Sequence, residues 1–107
     1  MADRTIVIGD IHGDIAALDA LMARLPALDD RDTLVFLGDY LDRGPDSAGV
    51  VRRVRHDIPA STQATVVCLR GNHEDAWLRV VEEGWPGFVL PPSNGCRACM
   101  DSFAPET

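Results

Sequence analysis

Three short β-branched runs, each leading into a polar, glycine-containing loop and then a helical pattern, constrain this chain's fold more than any other feature. Thr5-Ile6-Val7-Ile8 ends at Gly9, and Thr33-Leu34-Val35-Phe36-Leu37 ends at Gly38. Thr65-Val66-Val67-Cys68-Leu69 ends just before Gly71. Apolar runs of this length read as strands, the first buried on both faces. After the first strand, Ile15, Leu18, Leu21, Met22 and Leu25 recur at helix spacing, with Asp14 as N-cap and Pro26 at the close. Val50, Val51, Val54 and Ile58 mark a second helix closed by Pro59. A third runs from about Glu74 to Glu83 with Trp77, Leu78 and Val81 inward, and Gly84, Pro86 and Gly87 break it.

Three strand–loop–helix units in succession predict an α/β fold: a parallel sheet with right-handed crossovers and flanking helices. The chain, 1–107, reads as a single domain whose last part, 88–107, is an irregular tail with Pro91-Pro92 and Gly95. In open sheets of this kind ligands bind beyond the C-terminal strand ends. The three loops therefore belong side by side, at the edge where chemistry is expected.

Charge narrows the partners. The chain holds 17 acids and 10 bases, every base an Arg, for a net charge of −7. Such a domain has no bulk attraction for nucleic acid or for an anionic membrane. No apolar run approaches the roughly 18 residues that span a bilayer, and the N-terminus lacks a signal-peptide shape. Three Cys, an odd number, make no self-contained disulfide framework, so a cytoplasmic, reducing setting is expected. Cys68 reads as core, and Cys96-Arg-Ala-Cys99 is a lone C-x-x-C pair, a weak zinc signal. Arg52-Arg53-Val54-Arg55 and His56 read as a solvated helix face, and Trp85 as covered.

The loops concentrate polar chemistry. The first is Gly9-Asp10-Ile11-His12-Gly13-Asp14, the second Gly38-Asp39-Tyr40-Leu41-Asp42-Arg43-Gly44, the third Arg70-Gly71-Asn72-His73-Glu74. In extended chain, Asp10 and His12 point the same way and can converge on one cation. Asp39 comes from the neighbouring strand end, and a carboxylate can bridge two metals held about 3.5–4 Å apart. Asn72 adds a neutral oxygen from the third strand. Carboxylate, imidazole and amide donors suit Mn, Fe or Zn better than a thiolate-loving metal. Asp14 and Glu74 read as helix-start charges that favour the macrodipole.

GDIHG at 9–13, GDYLDRG at 38–44 and RGNHE at 70–74, in this order, resemble the phosphoprotein phosphatase family of binuclear-metal phosphoesterases. Arg70 immediately before the third motif looks most like the bacterial and bacteriophage lambda type. The resemblance implies a calcineurin-like αββα sandwich, of which this chain supplies a βαβαβα half, and two divalent ions, Mn first with Fe or Zn as alternatives. Asp10 and His12 would hold the first metal, Asp39 would bridge, and Asn72 would hold the second. Arg43 and Arg70 would grip phosphoryl oxygens with their planar forks. His73 would be the general acid, with Asp42 orienting it, while a hydroxide shared by the metals attacks phosphorus in line.

The family domain is longer and takes further His ligands and another phosphate-binding Arg from its C-terminal half. This chain has His12, His56 and His73 and none beyond. The expectation is an N-terminal half with incomplete metal sites and an apolar face that a dimer or a partner chain covers. A Ser/Thr-type phosphatase acting on a phosphoprotein or small phosphoester is the first reading. A dinucleoside tetraphosphate hydrolase and an inactive metal-binding fragment that needs a partner chain are the alternatives.

Overall fold

The computed structural model describes residues 3–84 and 95–103. Its strands are β1 (Thr5–Ile8), β2 (Thr33–Phe36) and β3 (Thr65–Cys68), and its helices include α1 (Ile15–Arg24) and α2 (Ser47–Arg52). A π-helical stretch, Arg53–Asp57, leads from α2 into α3 (Ile58–Ser61), and α4 (Asn72–Glu83) and α5 (Cys96–Phe103) follow. The sheet is parallel in the order β1-β2-β3, with Thr5 opposite Thr33 and Thr33 opposite Thr65.

Strand order explains where the core lies. Successive crossovers of one hand, moving one way across a sheet, put their helices on one face. Ile8, Leu34 and Phe36 meet Leu18 of α1 with Val50 and Val54 there, in a single buried cluster. The opposite face is bare among the described residues: Val7 is 55% exposed, and Val67, Leu37 and Leu69 are exposed with it. The first strand is therefore buried on one face, not both. Cys68, expected in the core, is exposed: β3 is an edge strand, and although its Sγ reaches Val54 O at 3.8 Å, no further strand pairs beyond it among the described residues.

Helix ends follow local chemistry. Asp14 caps α1, its side chain accepting from Ala17 N at 3.0 Å, and Asp46 caps α2 by accepting from Gly49 N at 2.9 Å. Leu21, expected inward, is exposed on the flank of α1, where Leu18 carries the packing. Pro59 does not close the second helical segment, which continues to Ser61. The π turn explains this: Ile58 N–H bonds Arg53 O, and Pro59, with no N–H to give, sits in the first turn after it, where prolines are tolerated. Two residues earlier than predicted, α4 begins at Asn72, and Gly84 ends it in the left-handed conformation with its N–H on Val80 O. Leu78 and Val81 are exposed rather than inward, Val81 at 79%, because α4 leads away from the cluster. The tail expected to be irregular contains α5, which buries Cys96 and Cys99. Trp85 lies outside the described residues. No helix among the described residues is long and apolar enough to cross a membrane.

Candidate metal centre

Backbone hydrogen bonds lock the three loops together at the strand tips. Ile11 N and His12 N donate to Asp39 O at 3.1 and 2.8 Å, and Gly13 N donates to Tyr40 O at 2.8 Å. Gly44 N returns to His12 O at 2.7 Å. The second and third loops are closer still: a Cβ at Gly71 would fall on Asp39 N and Oδ1, so only glycine permits that approach. The Tyr40 hydroxyl donates to Leu69 O at 2.7 Å, tying the second loop to the end of β3.

This locking holds side chains in unfavourable backbone states. The non-glycine residues with positive φ among the described residues are His12 (47°), Asp39 (56°), Asp42 (76°) and Arg43 (73°). All four were singled out from sequence as functional. Left-handed backbone costs a non-glycine residue on the order of 1–3 kcal/mol and persists where the surroundings over-determine it, as at sites. His and Asp tolerate it better than most.

One ligand atom each from Asp10, His12 and Asp39 lies within 4.8 Å of the other two. His12 Nε2 is 3.7 Å from Asp10 Oδ2. His12 Nδ1 lies 2.9 Å from Leu41 O, a group that only accepts. Nδ1 therefore donates, which leaves Nε2, on the side of the carboxylates, as the nitrogen a metal ion would take. Two carboxylates and an imidazole are the donors of a divalent-cation site for Mn, Fe or Zn, so the residues present fit the metal that the loops suggest. His73 N donates to Asp39 Oδ1 at 2.8 Å, which brings Asn72, the exposed first residue of α4, next to the same carboxylate.

Beside the cluster stands a buried pair. His73 Nδ1 is 2.6 Å from Asp42 Oδ2. Asp42 has no exposed surface, and Trp77 Nε1 donates to its two oxygens at 2.9 and 3.1 Å. Asp42 N donates to Ser47 Oγ at 3.0 Å. The His12 and His73 rings meet edge to face with centroids 4.6 Å apart, which joins the pair to the cluster.

The arginines lie further out. Arg43 is exposed, its N donating to Gly95 O at 3.0 Å. Arg70 Nε faces Asp75 Oδ1 across 3.9 Å, with both side chains more than half exposed, so the phosphoryl role expected of it requires it to turn from this pairing.

Two residues that organise the site were not singled out for this in the sequence. Glu74 does more than favour a helix start. Its carboxylate accepts from Asp39 N, from Tyr40 N at 2.9 Å, from Leu41 N at 3.2 Å and from Gly71 N at 2.9 Å. One buried-side acceptor thus holds the second loop against the third. Trp77 holds Asp42. Helix spacing placed both on α4, but only their long-range contacts reveal what they hold. Cys96 and Cys99 pack near Asp42, and burial above all, with that negative charge, pushes their thiols up to about 12 and about 11.

The chain is thus a parallel α/β protein with carboxylate and imidazole donors gathered at its strand tips. More narrowly, the chain belongs to the calcineurin-like phosphoesterase family, whose profile matches residues 3–106. It is 40% identical over 70 residues to the symmetrical bis(5'-nucleosyl)-tetraphosphatase of Pectobacterium atrosepticum, a match covering 65% of this chain and 23% of that protein. It is 35% identical over 78 residues to serine/threonine-protein phosphatase 2 of Escherichia coli, covering 73% of this chain and 33% of the relative. Serine/threonine-protein phosphatase 1 of Salmonella typhimurium is 37% identical over 72 residues, 67% of this chain and 30% of that protein. The matched region thus spans only 23% to 33% of these relatives.

Proposed function

We propose that the chain carries the metal-holding, proton-donating half of a metal-dependent phosphoesterase site, of the Ser/Thr protein phosphatase type. The observation that carries this reading is the contact between two groups: the Asp10–His12–Asp39 cluster and the Asp42-held imidazole of His73. Asp10 and His12 would hold one divalent ion, Asp39 would be shared, and Asn72 would hold a second. When bound, such ions offset phosphoryl charge and lower the pKa of coordinated water toward neutrality. Manganese is the first candidate, with iron or zinc the alternatives.

The remaining steps belong to side chains. Asp42 accepts from His73 Nδ1–H, so a proton on Nε2 is the one available to a departing alkoxide. The alkoxide of Ser or Thr is a poor leaving group, and general acid catalysis contributes about 10²–10⁴-fold. Arg43, and Arg70 once turned from Asp75, would grip the phosphoryl oxygens. A cytoplasmic setting accords with the odd cysteine count, and the bare sheet face is where a partner chain or a second copy would complete the fold.

A second reading within the same chemistry is hydrolysis of a dinucleoside tetraphosphate, supported by the 40% identity to the tetraphosphatase. Both readings are tested by supplying Mn²⁺ to the protein with an aryl phosphate, a phosphopeptide and diadenosine tetraphosphate in parallel. Turnover of any of the three that falls in His73→Asn supports the phosphoesterase reading, and the preferred substrate chooses between the two. Manganese binding with no turnover on any would favour a non-enzymatic, metal-binding role.

A further inference from the structure

The arginine-rich face of the second helical segment is solvated, as its sequence suggests, and it borders a cleft. A cleft of about 450 Å³ lies between that segment and α5, and Arg52, Arg55, His56, Ser102 and Phe103 are among its lining. Among the described residues no carboxylate lines it, although the chain holds 17 acids against 10 bases. Arg4, Arg53, Arg70 and Arg97 each face an aspartate. Arg52 and Arg55 have no such partner among the described residues, and both are exposed.

The backbone produces this arrangement. Positions 52, 55 and 56 share one helix face by i, i+3, i+4 spacing. Arg53 is turned aside, with Asp19 Oδ1 at 3.0 Å and Asp57 Oδ2 at 2.9 Å. Asp19 and Asp57 are thus taken up by Arg53, and the two neighbouring guanidinium groups stay exposed beside the cleft. The π turn over Arg53–Asp57 lies within the same face, and such turns recur at functional sites. Two planar forks about one turn apart present donors to two linked phosphoryl groups. The exposed ring of Phe103, at 53%, forms an apolar wall beside them.

We propose that this cleft is a binding site for a diphosphate-bearing ligand, separate from the metal centre. Neither Arg52 nor Arg55 is assigned a role there, so the inference stands apart from the phosphoesterase reading.

The test is calorimetric titration of the 107-residue chain with inorganic pyrophosphate in EDTA, which silences the metal centre. Binding is expected in the wild type, weaker by about tenfold or more in Arg52→Gln/Arg55→Gln as charge-assisted hydrogen bonds are lost. The Arg43→Gln/Arg70→Gln protein should keep the component of binding that Arg52→Gln/Arg55→Gln loses. Proton NMR reads the same event without relying on a variant's folding. His56 is one of three histidines, and its ring resonances should move saturably while those of His12 and His73 stay. An unmoved His56, wild-type binding by Arg52→Gln/Arg55→Gln, or loss of binding in Arg43→Gln/Arg70→Gln would overturn the proposal. Equal or tighter binding of an oligoglutamate peptide would overturn the phosphate assignment.

Discussion

His73 Nδ1 sits 2.6 Å from Asp42 Oδ2, and the Asp42 carboxylate is sealed from solvent by the residues that bond to it. A buried carboxylate is tolerable only when its oxygens are satisfied, and here the imidazole and the Trp77 indole do so. Asp42→Ala removes that acceptor from a part-buried indole N–H and a buried imidazole. Stability should fall by about 1–3 kcal/mol, read from urea unfolding followed by circular dichroism. An unchanged midpoint and slope would show that this network contributes nothing to folding.

Gly71→Ala tests the closeness of the second and third loops. The added Cβ would fall on Asp39 N and Oδ1. Backbone cannot yield as a flexible side chain does, so a cost of about 1–3 kcal/mol is expected. Manganese affinity should fall with it, because Asp39 is the group displaced. Retained stability and retained manganese affinity would contradict the packing.

Glu74→Ala separates loop positioning from ligation. The carboxylate serves the backbone N–H groups of Asp39, Tyr40, Leu41 and Gly71 but is not among the clustered ligand atoms. The variant should bind manganese about 10–100-fold more weakly, the loss typical of outer-shell partners. Glu74→Gln, which keeps an acceptor oxygen, should recover part of it. Wild-type affinity in Glu74→Ala would show that Asp39 holds its place unaided.

Much of this site was legible because its signals are local. Each loop follows a β-branched run and carries glycine within its first two residues, so the chain itself puts Asp10, His12, Asp39, Asp42 and His73 at strand tips. The family resemblance supplied their roles. What escaped depends on distant partners. Glu74 reads as a helix-start charge until its carboxylate is seen against a loop more than thirty residues away in sequence. Leu21, Val81 and Cys68 read as core because periodicity reports an apolar face, not what covers it, and among the described residues one face and both edges of this sheet are open. The π turn that carries the helix past Pro59 has no sequence signature of its own, and α5 was hidden by the prolines and glycine that precede it.

Acid should weaken the far end of the sheet. Asp32 accepts from Arg4 Nη2 at 2.8 Å and from Asp29 N at 2.9 Å. The hydrogen bond from Arg4 chiefly, then that from the Asp29 backbone, lowers its carboxyl from 3.8 to about 2. A carboxyl lowered on folding stabilises the folded state fully above its unfolded pKa. That contribution fades as pH falls from about 4 toward the folded value of about 2. Asp32→Asn should therefore be less stable than wild type at pH 6, and the difference should shrink by pH 2, as read from thermal unfolding at each pH. A difference that does not narrow in acid would rule out this ion pair as its source.

The cation cluster itself is tested most directly by manganese titration, following the free-ion signal by electron paramagnetic resonance. The wild-type chain should deplete free Mn²⁺ saturably. Asp39→Ala and His12→Ala should each lose most of that binding while keeping a wild-type circular dichroism spectrum. Manganese uptake equal to wild type in both variants would mean that the ion sits elsewhere, and the site assigned to the strand tips would be wrong.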